Sequence, residues 1–257
     1  LKKNGIHAKL VKITKEKRTN NSVIILNSGL DRTILTYRGA AGLMPKEEIP
    51  FHKLKARWFY LAPLSGLLAE SFKDIVDFAH ERKIKIAVNP GMAQLASKDF
   101  PEIAKKIDIL FLNEEEASFL TKLPIHGEKE TRAPFQGARP STQIEDLSAL
   151  VFEKIDELCP GIAVMTKGGE GVVVSDGKNI YSAVPPQDRK IVDTTGAGDA
   201  FASGFVSEFM KSANVVTAIQ LGMGNSVGCL SQVGAQYGLL KKGQGFVKVE
   251  VKKENIV

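Results

Sequence analysis

The sequence predicts an α/β protein built on a mostly parallel central sheet with helices on both faces, plus a small separate sheet. Two observations lead to this prediction. From residue 58 onward, short apolar runs alternate with segments whose apolar residues recur every three or four positions. That alternation is typical of βαβ units, whose parallel strands are covered by helices on both faces. Residues 8–40 instead contain only short strand-like runs, which indicate a small additional sheet.

The length and composition fit one large domain over residues 1–257, or one large domain plus a small appendage. Of these residues 43% are hydrophobic, which is enough to bury a substantial core. No apolar run approaches the roughly 18 residues of a membrane span, so we expect a cytoplasmic protein with no membrane partner. The net charge is +6, but the basic run 9–18 contains no aromatic residue. A solvated surface therefore explains this run better than a nucleic-acid platform does.

Other functional classes are disfavoured by missing motifs. The two cysteines and four histidines are scattered without metal-ligand spacing, so any metal should be bound by oxygen. The sequence also has no Walker A loop and no protein-kinase catalytic motif.

The first elements are short strands. Alternation over 8–13 and the apolar runs 23–26 and 33–37 each predict a strand. Residues 27–31, Asn-Ser-Gly-Leu-Asp, predict the turn of a hairpin between the last two. By themselves these residues indicate no more than an edge hairpin.

The alternating part begins with strands at 58–61 and 84–88, joined by a helix with five apolar residues on one face. Those five are Leu68, Phe72, Ile75, Val76 and Ala79. The turns 62–66 and 89–91 follow the two strands, at the carboxyl ends where parallel sheets bind ligands. Each turn alone carries no specific function.

The next strand, 109–112, leads into a helix that begins at Asn113 and has Glu116 as its third residue. This pattern is a capping box, which stabilises a helix start without any further role. Residues 122–142 contain three prolines and no periodicity, so we expect a surface insertion there. A helix resumes near residue 143. Its inward-facing residues are Ile144, Leu147, Val151 and Ile155.

Three more strands are predicted at 162–166, 172–175 and 179–183, the last two joined by an Asp-Gly turn. The first two are connected by residues 167–171, Lys-Gly-Gly-Glu-Gly. Three glycines are what a tight turn between strands needs, so the turn has a sufficient structural explanation.

The stretch 193–206 reads Asp-Thr-Thr-Gly-Ala-Gly-Asp-Ala-Phe-Ala-Ser-Gly-Phe-Val and predicts a turn that opens a helix near Gly198. Phe201, Phe205 and Phe209 recur every four residues, as on the buried stripe of a helix. A last helix is predicted over 215–232.

Small residues at the start of the first of these helices predict an anion site. Between residues 196 and 198 no side chain is larger than a methyl group, so backbone amides can approach an anion at the positive end of the helix. Asp199 in the first turn should be ionised and can accept a proton from a substrate hydroxyl. The alternative is that Asp193 or Thr195 merely caps the helix.

The stretch 193–206 closely resembles the C-terminal signature of the PfkB, or ribokinase-like, family of carbohydrate kinases, and matches it at every restricted position. Asn113 and Glu116 match the Asn-x-x-Glu of the family's second motif, and 166–171 resembles its nucleotide-contacting turn. The resemblance covers nearly the whole chain. It implies a ribokinase-like fold in which the hairpin within 8–40 is a lid over the sugar.

The resemblance also implies an activity, the transfer of phosphate from ATP to a sugar. Asp199 would be the base that deprotonates the acceptor hydroxyl. The backbone of Gly196, Ala197 and Gly198 would neutralise charge on the transferred phosphoryl group. Phosphoryl transfer needs little covalent work from the protein, so positioning and charge stabilisation of this kind would dominate.

Further residues are assigned to binding by the same resemblance. Asn113 would help to organise the phosphates, and Glu116 would hold Mg2+ through water. Asp193 and Thr195 would bind a monovalent cation such as K+, as in some relatives. The nucleotide would be lined by Thr166, Lys167, Gly168, Gly169, Glu170 and Gly171.

The resemblance breaks at the front of the chain. Relatives begin with strands that carry an aspartate, a Gly-Gly turn and an asparagine for the sugar hydroxyls, and these have no counterpart before Leu1. We expect the residues to be part of a longer polypeptide; the alternative is a remnant that cannot bind sugar. The adenine contact near Met223 or Asn225 stays open. Because the lid pairs across a two-fold axis in some relatives, a homodimer through the lid is also an option.

These observations predict ATP-dependent phosphorylation of a sugar hydroxyl. The rival among enzymes is a nucleoside or vitamin kinase of the same superfamily, which a substrate panel would separate. The rival of another class is a nucleotide-binding regulatory protein without turnover. Retention of Asp199 argues against that rival, whereas the lack of counterparts to the family's N-terminal strands argues for it.

Overall fold

The computed structural model describes residues 5–26, 32–124, 142–188 and 191–256. Within these ranges the strands are β1 (Asn21–Leu26), β2 (Arg32–Tyr37), β3 (Trp58–Leu61), β4 (Lys85–Val88), β5 (Ile109–Asn113), β6 (Ile162–Thr166), β7 (Val172–Ser175), β8 (Asn179–Ala183) and β9 (Lys252–Asn255). The helices are α1 (Leu67–Glu70), α2 (Phe72–Glu81), α3 (Met92–Leu95), α4 (Phe100–Ala104), α5 (Glu114–Thr121), α6 (Thr142–Leu158), α7 (Ala197–Ser212) and α8 (Val215–Leu230).

The central sheet has seven strands, which lie in the order of the chain from β3 to β9. The pairs from β3 to β6 are parallel, and those from β6 to β9 are antiparallel. The predicted α/β fold with a mostly parallel sheet is therefore confirmed. Because β3 to β6 run the same way, the segments that follow their carboxyl ends meet at one edge of the sheet.

Helices cover both faces of the sheet, and β5 shows how its side chains divide between them. Leu110 and Leu112 pack with buried residues of α2, α4 and α6, whereas Ile109 and Phe111 pack with those of α7 and α8. All four side chains are buried, which is the near-continuous apolar pattern of a strand covered on both sides. Among the described residues, no helix combines the length and apolar content needed to cross a bilayer.

The small sheet contains β1 and β2, which pair antiparallel with Ile24 opposite Ile34. Both strands were predicted, and the predicted turn 27–31 lies outside the described residues. The predicted strand 8–13 is wrong, since this segment pairs with no described strand. Its apolar side chains do not form a buried face, and Ile13 is 93% exposed.

The segments after β3 and after α5 differ in part from what the sequence predicts. The helix predicted after 58–61 is divided at Ser71 into α1 and α2. Its predicted inner face is buried from Phe72 to Ala79, while Leu68 is only half-buried. The insertion predicted over 122–142 lies mostly outside the described residues, and α6 begins at Thr142.

Candidate active site

The turn before α7 is held by the carboxylate of Asp193. Its Oδ1 accepts a hydrogen bond from the amide of Thr195 at 2.8 Å, and its Oδ2 accepts one from the amide of Gly234 at 2.9 Å. The same turn contains Gly196 in the left-handed region with φ of 81°. A Cβ at Gly196 would lie 2.5 Å from that of Ala235, so only glycine fits there. Asp193 and Gly196 thus fix the turn against the loop that follows α8.

The N-terminus of α7 presents unused backbone donors. Within the described residues, the amides of Gly198 and Asp199 donate to no protein acceptor. A Cβ added to Gly198 would meet no atom within 4 Å, so space is open beside these amides. Asp199 lies in the first turn and is exposed. This 16-residue helix therefore offers the positive end of its dipole, with a carboxylate beside it, to an anion.

A cavity of about 350 Å³ lies next to this helix start. Thr166, Gly168, Gly169 and Gly171 line it on one side, and Ala197 and Gly198 line it on the other. The structure thus brings together two predicted groups of site residues that are about thirty positions apart in the sequence.

The remainder of the cavity is largely apolar. It is lined by Val172, Pro185, Pro186, Ile191, Phe201, Met223, Val227 and Leu230, with Gln187, Thr194, Ser226 and Ser231 as polar neighbours. Met223 and Asn225 were the two residues considered for the contact with adenine, and of these Met223 lines the cavity. Asn225 does not, because its side chain donates to the carbonyl of Ala200 at 2.7 Å and accepts from the amide of Leu240 at 2.9 Å.

The turn after β6 presents bare backbone. Gly168 and Gly171 have φ of 54° and 100°, and a Cβ at Gly168 or Gly169 would meet nothing within 4 Å. Lys167, which was predicted to line the nucleotide, does not line this cavity. Its ammonium lies 3.2 Å from Glu170 Oε2 and 4.0 Å from Glu114 Oε1, outside the cavity lining.

Asn113 and Glu116 form the predicted capping box at the start of α5. Asn113 Oδ1 accepts from the amide of Glu116, and Glu116 Oε2 accepts from that of Asn113, both at 2.8 Å. Burial raises the pKa of Glu116, and the charge of Glu115 adds to this, while the amide of Asn113 opposes it. Asn113 pairs in the sheet with Thr166, which lines the cavity, but neither Asn113 nor Glu116 lines it.

The carboxylate oxygen available at the start of α5 suits an Mg2+ ion that takes few ligands from the protein. Among the described residues, no group of three or more His, Cys, Asp or Glu side chains could enclose a metal. Glu116 Oε1 accepts no hydrogen bond from the described protein, which leaves one carboxylate oxygen for a metal or its water. Mg2+ typically keeps several waters and takes few protein ligands, so Glu116 fits.

Two further residues lie at this edge of the sheet: Asn89, which the sequence indicated only as part of the turn 89–91, and Tyr60, which it did not single out. Tyr60 is the residue before the last of β3, close to the carboxyl edge, and Asn89 follows β4. Burial raises the pKa of Tyr60 to about 12, and the nearby charge of Asp199 adds to this, while a hydrogen bond with Asn89 opposes it. Their position at the carboxyl ends of parallel strands was the available signal. Tyr60 lies near Asp199, and neither Tyr60 nor Asn89 lines the cavity.

Comparison with known proteins gives a consistent match. The model of a family described as pfkB family carbohydrate kinase matches residues 1–242. A cytidine kinase of Thermococcus kodakarensis is 26% identical over 72% of this chain and 59% of its own length. An uncharacterized sugar kinase of Archaeoglobus fulgidus is 25% identical over 88% of this chain and 82% of its own length. The chain thus spans less than two thirds of the cytidine kinase.

Solved structures give the same fold. The structure of a ribokinase from Cryptococcus neoformans in complex with ADP superposes with a TM-score of 0.69 and 19% sequence identity. The superposition covers 87% of this chain and 69% of that one. At this identity the likeness concerns the fold, and it confirms the predicted ribokinase-like architecture.

Proposed function

Because the chain belongs to the pfkB family of carbohydrate kinases, we propose that it transfers the terminal phosphoryl group of ATP to a sugar hydroxyl. The observation that carries this proposal is the cavity shared by the turn after β6 and the start of α7. It joins an apolar chamber, suited to a nucleotide base, to unused amides suited to phosphate. The carboxylate of Asp199 stands beside those amides.

In this proposal the nucleotide binds along the turn after β6. Its base and ribose occupy the apolar chamber. Thr166, Gly168, Gly169 and Gly171 line the nucleotide with backbone that approaches closely. Lys167 and Glu170 hold the turn through their ion pair. The phosphates extend toward the backbone of Gly196, Ala197 and Gly198.

Asp199 acts as the base. It accepts the proton of the acceptor hydroxyl as the hydroxyl oxygen bonds to the terminal phosphorus and the bond from that phosphorus to the ADP oxygen breaks. The amides at the start of α7 stabilise the charge on the transferred group. The proton leaves Asp199 for solvent after the products depart.

Metal ions have defined places in this scheme. Glu116, oriented by Asn113, would hold Mg2+ near the phosphates, and the chemistry that the ion would supply there is neutralisation of their charge. Asp193 and Thr195 would supply oxygen ligands to a monovalent cation such as K+. Since the Asp193 carboxylate already accepts two amide hydrogen bonds, such a cation would reinforce the turn that it holds.

The acceptor is a sugar hydroxyl, either of a free sugar or of a nucleoside. The nucleoside alternative is favoured by the relative described as a cytidine kinase. We further propose that residues 1–257 act as one kinase domain with the β1–β2 hairpin as its lid. An assay that measures the ADP formed from ATP in the presence of ribose, fructose, cytidine or adenosine distinguishes the sugar-kinase from the nucleoside-kinase alternative.

Replacement of Asp199 by Asn tests the mechanism. We expect Asp199→Asn to lower turnover about 10²- to 10⁴-fold, because a carboxamide cannot accept the proton. Binding of MgADP, measured by calorimetry, should stay unchanged. Asp74→Asn on α2 is the matched control, since that exposed carboxylate contacts Lys46. Unchanged turnover in Asp199→Asn would remove Asp199 as the base. Nucleotide binding by the wild type without turnover of any acceptor would favour the non-catalytic alternative.

A homodimer through the lid is the oligomeric state that we propose. Val23 and Leu35 face each other across the hairpin, and they are 61% and 57% exposed. Ile24 and Ile34 form an exposed pair on the opposite face, so one face can cover the acceptor while the other meets a second copy. Light scattering should show a dimer that Leu35→Lys dissociates. A monomeric wild type would contradict the proposal.

A further inference from the structure

The carboxamide of Gln94 joins two loops at the carboxyl edge of the sheet. Its Oε1 accepts a hydrogen bond from the amide of Leu64 at 2.9 Å and another from the amide of Gly91 at 3.0 Å. Leu64 belongs to the loop after β3, and Gly91 to the turn after β4. One side-chain oxygen therefore holds both segments.

The same two segments touch directly. The amide of Asn89 donates to the carbonyl of Leu61 at 2.8 Å. Gly91 lies against Pro63, since a Cβ at Gly91 would be 3.4 Å from that of Pro63. We call residues 60–64 and 89–91 the acceptor wall.

The acceptor wall lies at the carboxyl edge of the sheet, where β3 and β4 end, and none of its residues lines the nucleotide cavity. The ring of Tyr60 packs against Phe111, which in turn packs against Phe205 of α7. That helix carries Asp199, whose nearby charge contributes to the raised pKa of Tyr60. The nucleotide cavity is lined instead by residues between 166 and 231. Given the proposed function, on which this step rests, the space beside Tyr60 and Asn89 is where the acceptor approaches the base.

Gln94 keeps its position at an energetic cost. It is only 3% exposed, and its Nε2 has no hydrogen-bond partner within the described part of the protein. An unpaired buried amide donor is unfavourable, whereas the two hydrogen bonds to Oε1 are favourable. The residue therefore stabilises the protein through its oxygen, which acts only on the acceptor wall.

We infer that Gln94 is a positioning residue that sets the geometry of the acceptor wall, and through it the placement of the acceptor hydroxyl against Asp199. It touches neither substrate nor reacting atoms. Small displacements of positioning groups can reduce rates strongly, since the acceptor must be held close to its attack geometry.

Gln94→Met tests the inference, because methionine has a similar volume and no carboxamide oxygen. We expect the KM for the acceptor to rise about three- to tenfold while the KM for ATP stays unchanged. Hydrogen exchange should accelerate about tenfold or more in peptides covering 62–66 and 89–95, but not in the peptide covering 193–200. Gln94→Glu retains an oxygen acceptor and should restore both properties. Gln94→Asn, whose shorter side chain cannot reach both amides, replaces the methionine variant if that variant does not fold.

Gln220→Met is the matched control. The Gln220 carboxamide also makes two hydrogen bonds, with the carbonyl and the amide of Val249, but it holds the segment before β9 against α8. Its loss should leave the KM for the acceptor unchanged. Faster exchange at the acceptor wall in Gln94→Met without a change in KM would overturn the inference, as would an equal rise in both KM values.

Failure of the proposed function is a separate outcome. If the wild type phosphorylates none of ribose, fructose, cytidine or adenosine, the kinase proposal fails for these acceptors. The inference is then decided by hydrogen exchange alone. Unaltered exchange over 62–66 and 89–95 in Gln94→Met would overturn it, and faster exchange confined to those peptides would support it.

Discussion

Gly196 and Gly198 lie two positions apart, but the structure surrounds them differently. Gly196 has a left-handed backbone and close contact with Ala235, so its constraint comes from the fold. Gly198 has open space where a side chain would be, so any constraint on it comes from what fills that space. Alanine at each position should therefore affect different properties.

Gly196→Ala should lower the free energy of unfolding by about 1 to 3 kcal/mol, through strain at positive φ and collision with Ala235. Gly198→Ala should leave that free energy unchanged or raise it by up to about 1 kcal/mol, since alanine favours helix. Its methyl group should nevertheless lower MgADP affinity about tenfold by occupying space beside the amides. Urea denaturation and calorimetry measure the two effects. MgADP affinity at the wild-type level in Gly198→Ala would show that no phosphate approaches this residue.

At the scale of elements, the start of α5 combines a structural role with a proposed functional one. The capping box explains why Asn113 and Glu116 are present without any metal. The position of the box beside Thr166 explains why the glutamate can also serve the phosphates. A substitution that keeps the cap but removes the charge separates the two roles.

Glu116→Gln is that substitution, because a glutamine oxygen can still accept from the amide of Asn113. We expect the free energy of unfolding to change by less than about 0.5 kcal/mol, since burial already disfavours the charged form. The Mg2+ concentration for half-maximal activity should rise about tenfold. Glu115→Gln in the same turn is the control, since that side chain is exposed. An unaltered Mg2+ requirement would leave Glu116 with the capping role alone.

The elements also show how far sequence reasoning extends. Strands buried on both faces, such as β5, were predicted because a short continuous apolar run between polar segments is typical of a strand covered on both sides. The strand predicted at 8–13 was wrong, because alternation alone does not supply a partner strand, and pairing is a tertiary property. The division of α1 from α2 at Ser71 was missed, since serine is compatible with a helix as well as with its end.

The candidate site was predictable only in part, for a related reason. Gly196, Gly198 and Asp199 are contiguous in the chain, so their motif could be recognised. Gln94 acts through Oε1 on Leu64, thirty positions away, and no local pattern indicates that contact. The nearness of Tyr60 to Asp199, which raises the pKa of Tyr60, is likewise a contact between distant parts of the chain. Residues whose role depends on long-range contacts are those that required the structure.

At the scale of the whole molecule, the site divides into two halves drawn from different parts of the chain. The nucleotide cavity is lined by residues between 166 and 231, from β6 to α8. The acceptor wall lies on β3 and β4 and the loops that follow them. Asp199 lies in the first turn of α7, a helix that packs closely against α8 where Gly204 meets Gly222.

Because the two halves of the site are separate, we expect nucleotide to stabilise the protein even when no acceptor is bound. A ligand that binds only the folded state adds about 2.7 kcal/mol at one hundred times its Kd, so saturating MgADP should raise Tm by several degrees. In Gly198→Ala the same concentration should give a smaller shift, because affinity falls, whereas Gln94→Met should shift like the wild type. Thermal denaturation monitored by circular dichroism measures these differences. No shift with millimolar MgADP would contradict the assignment of the cavity, while a shift lost in Gln94→Met would show that the two halves are coupled.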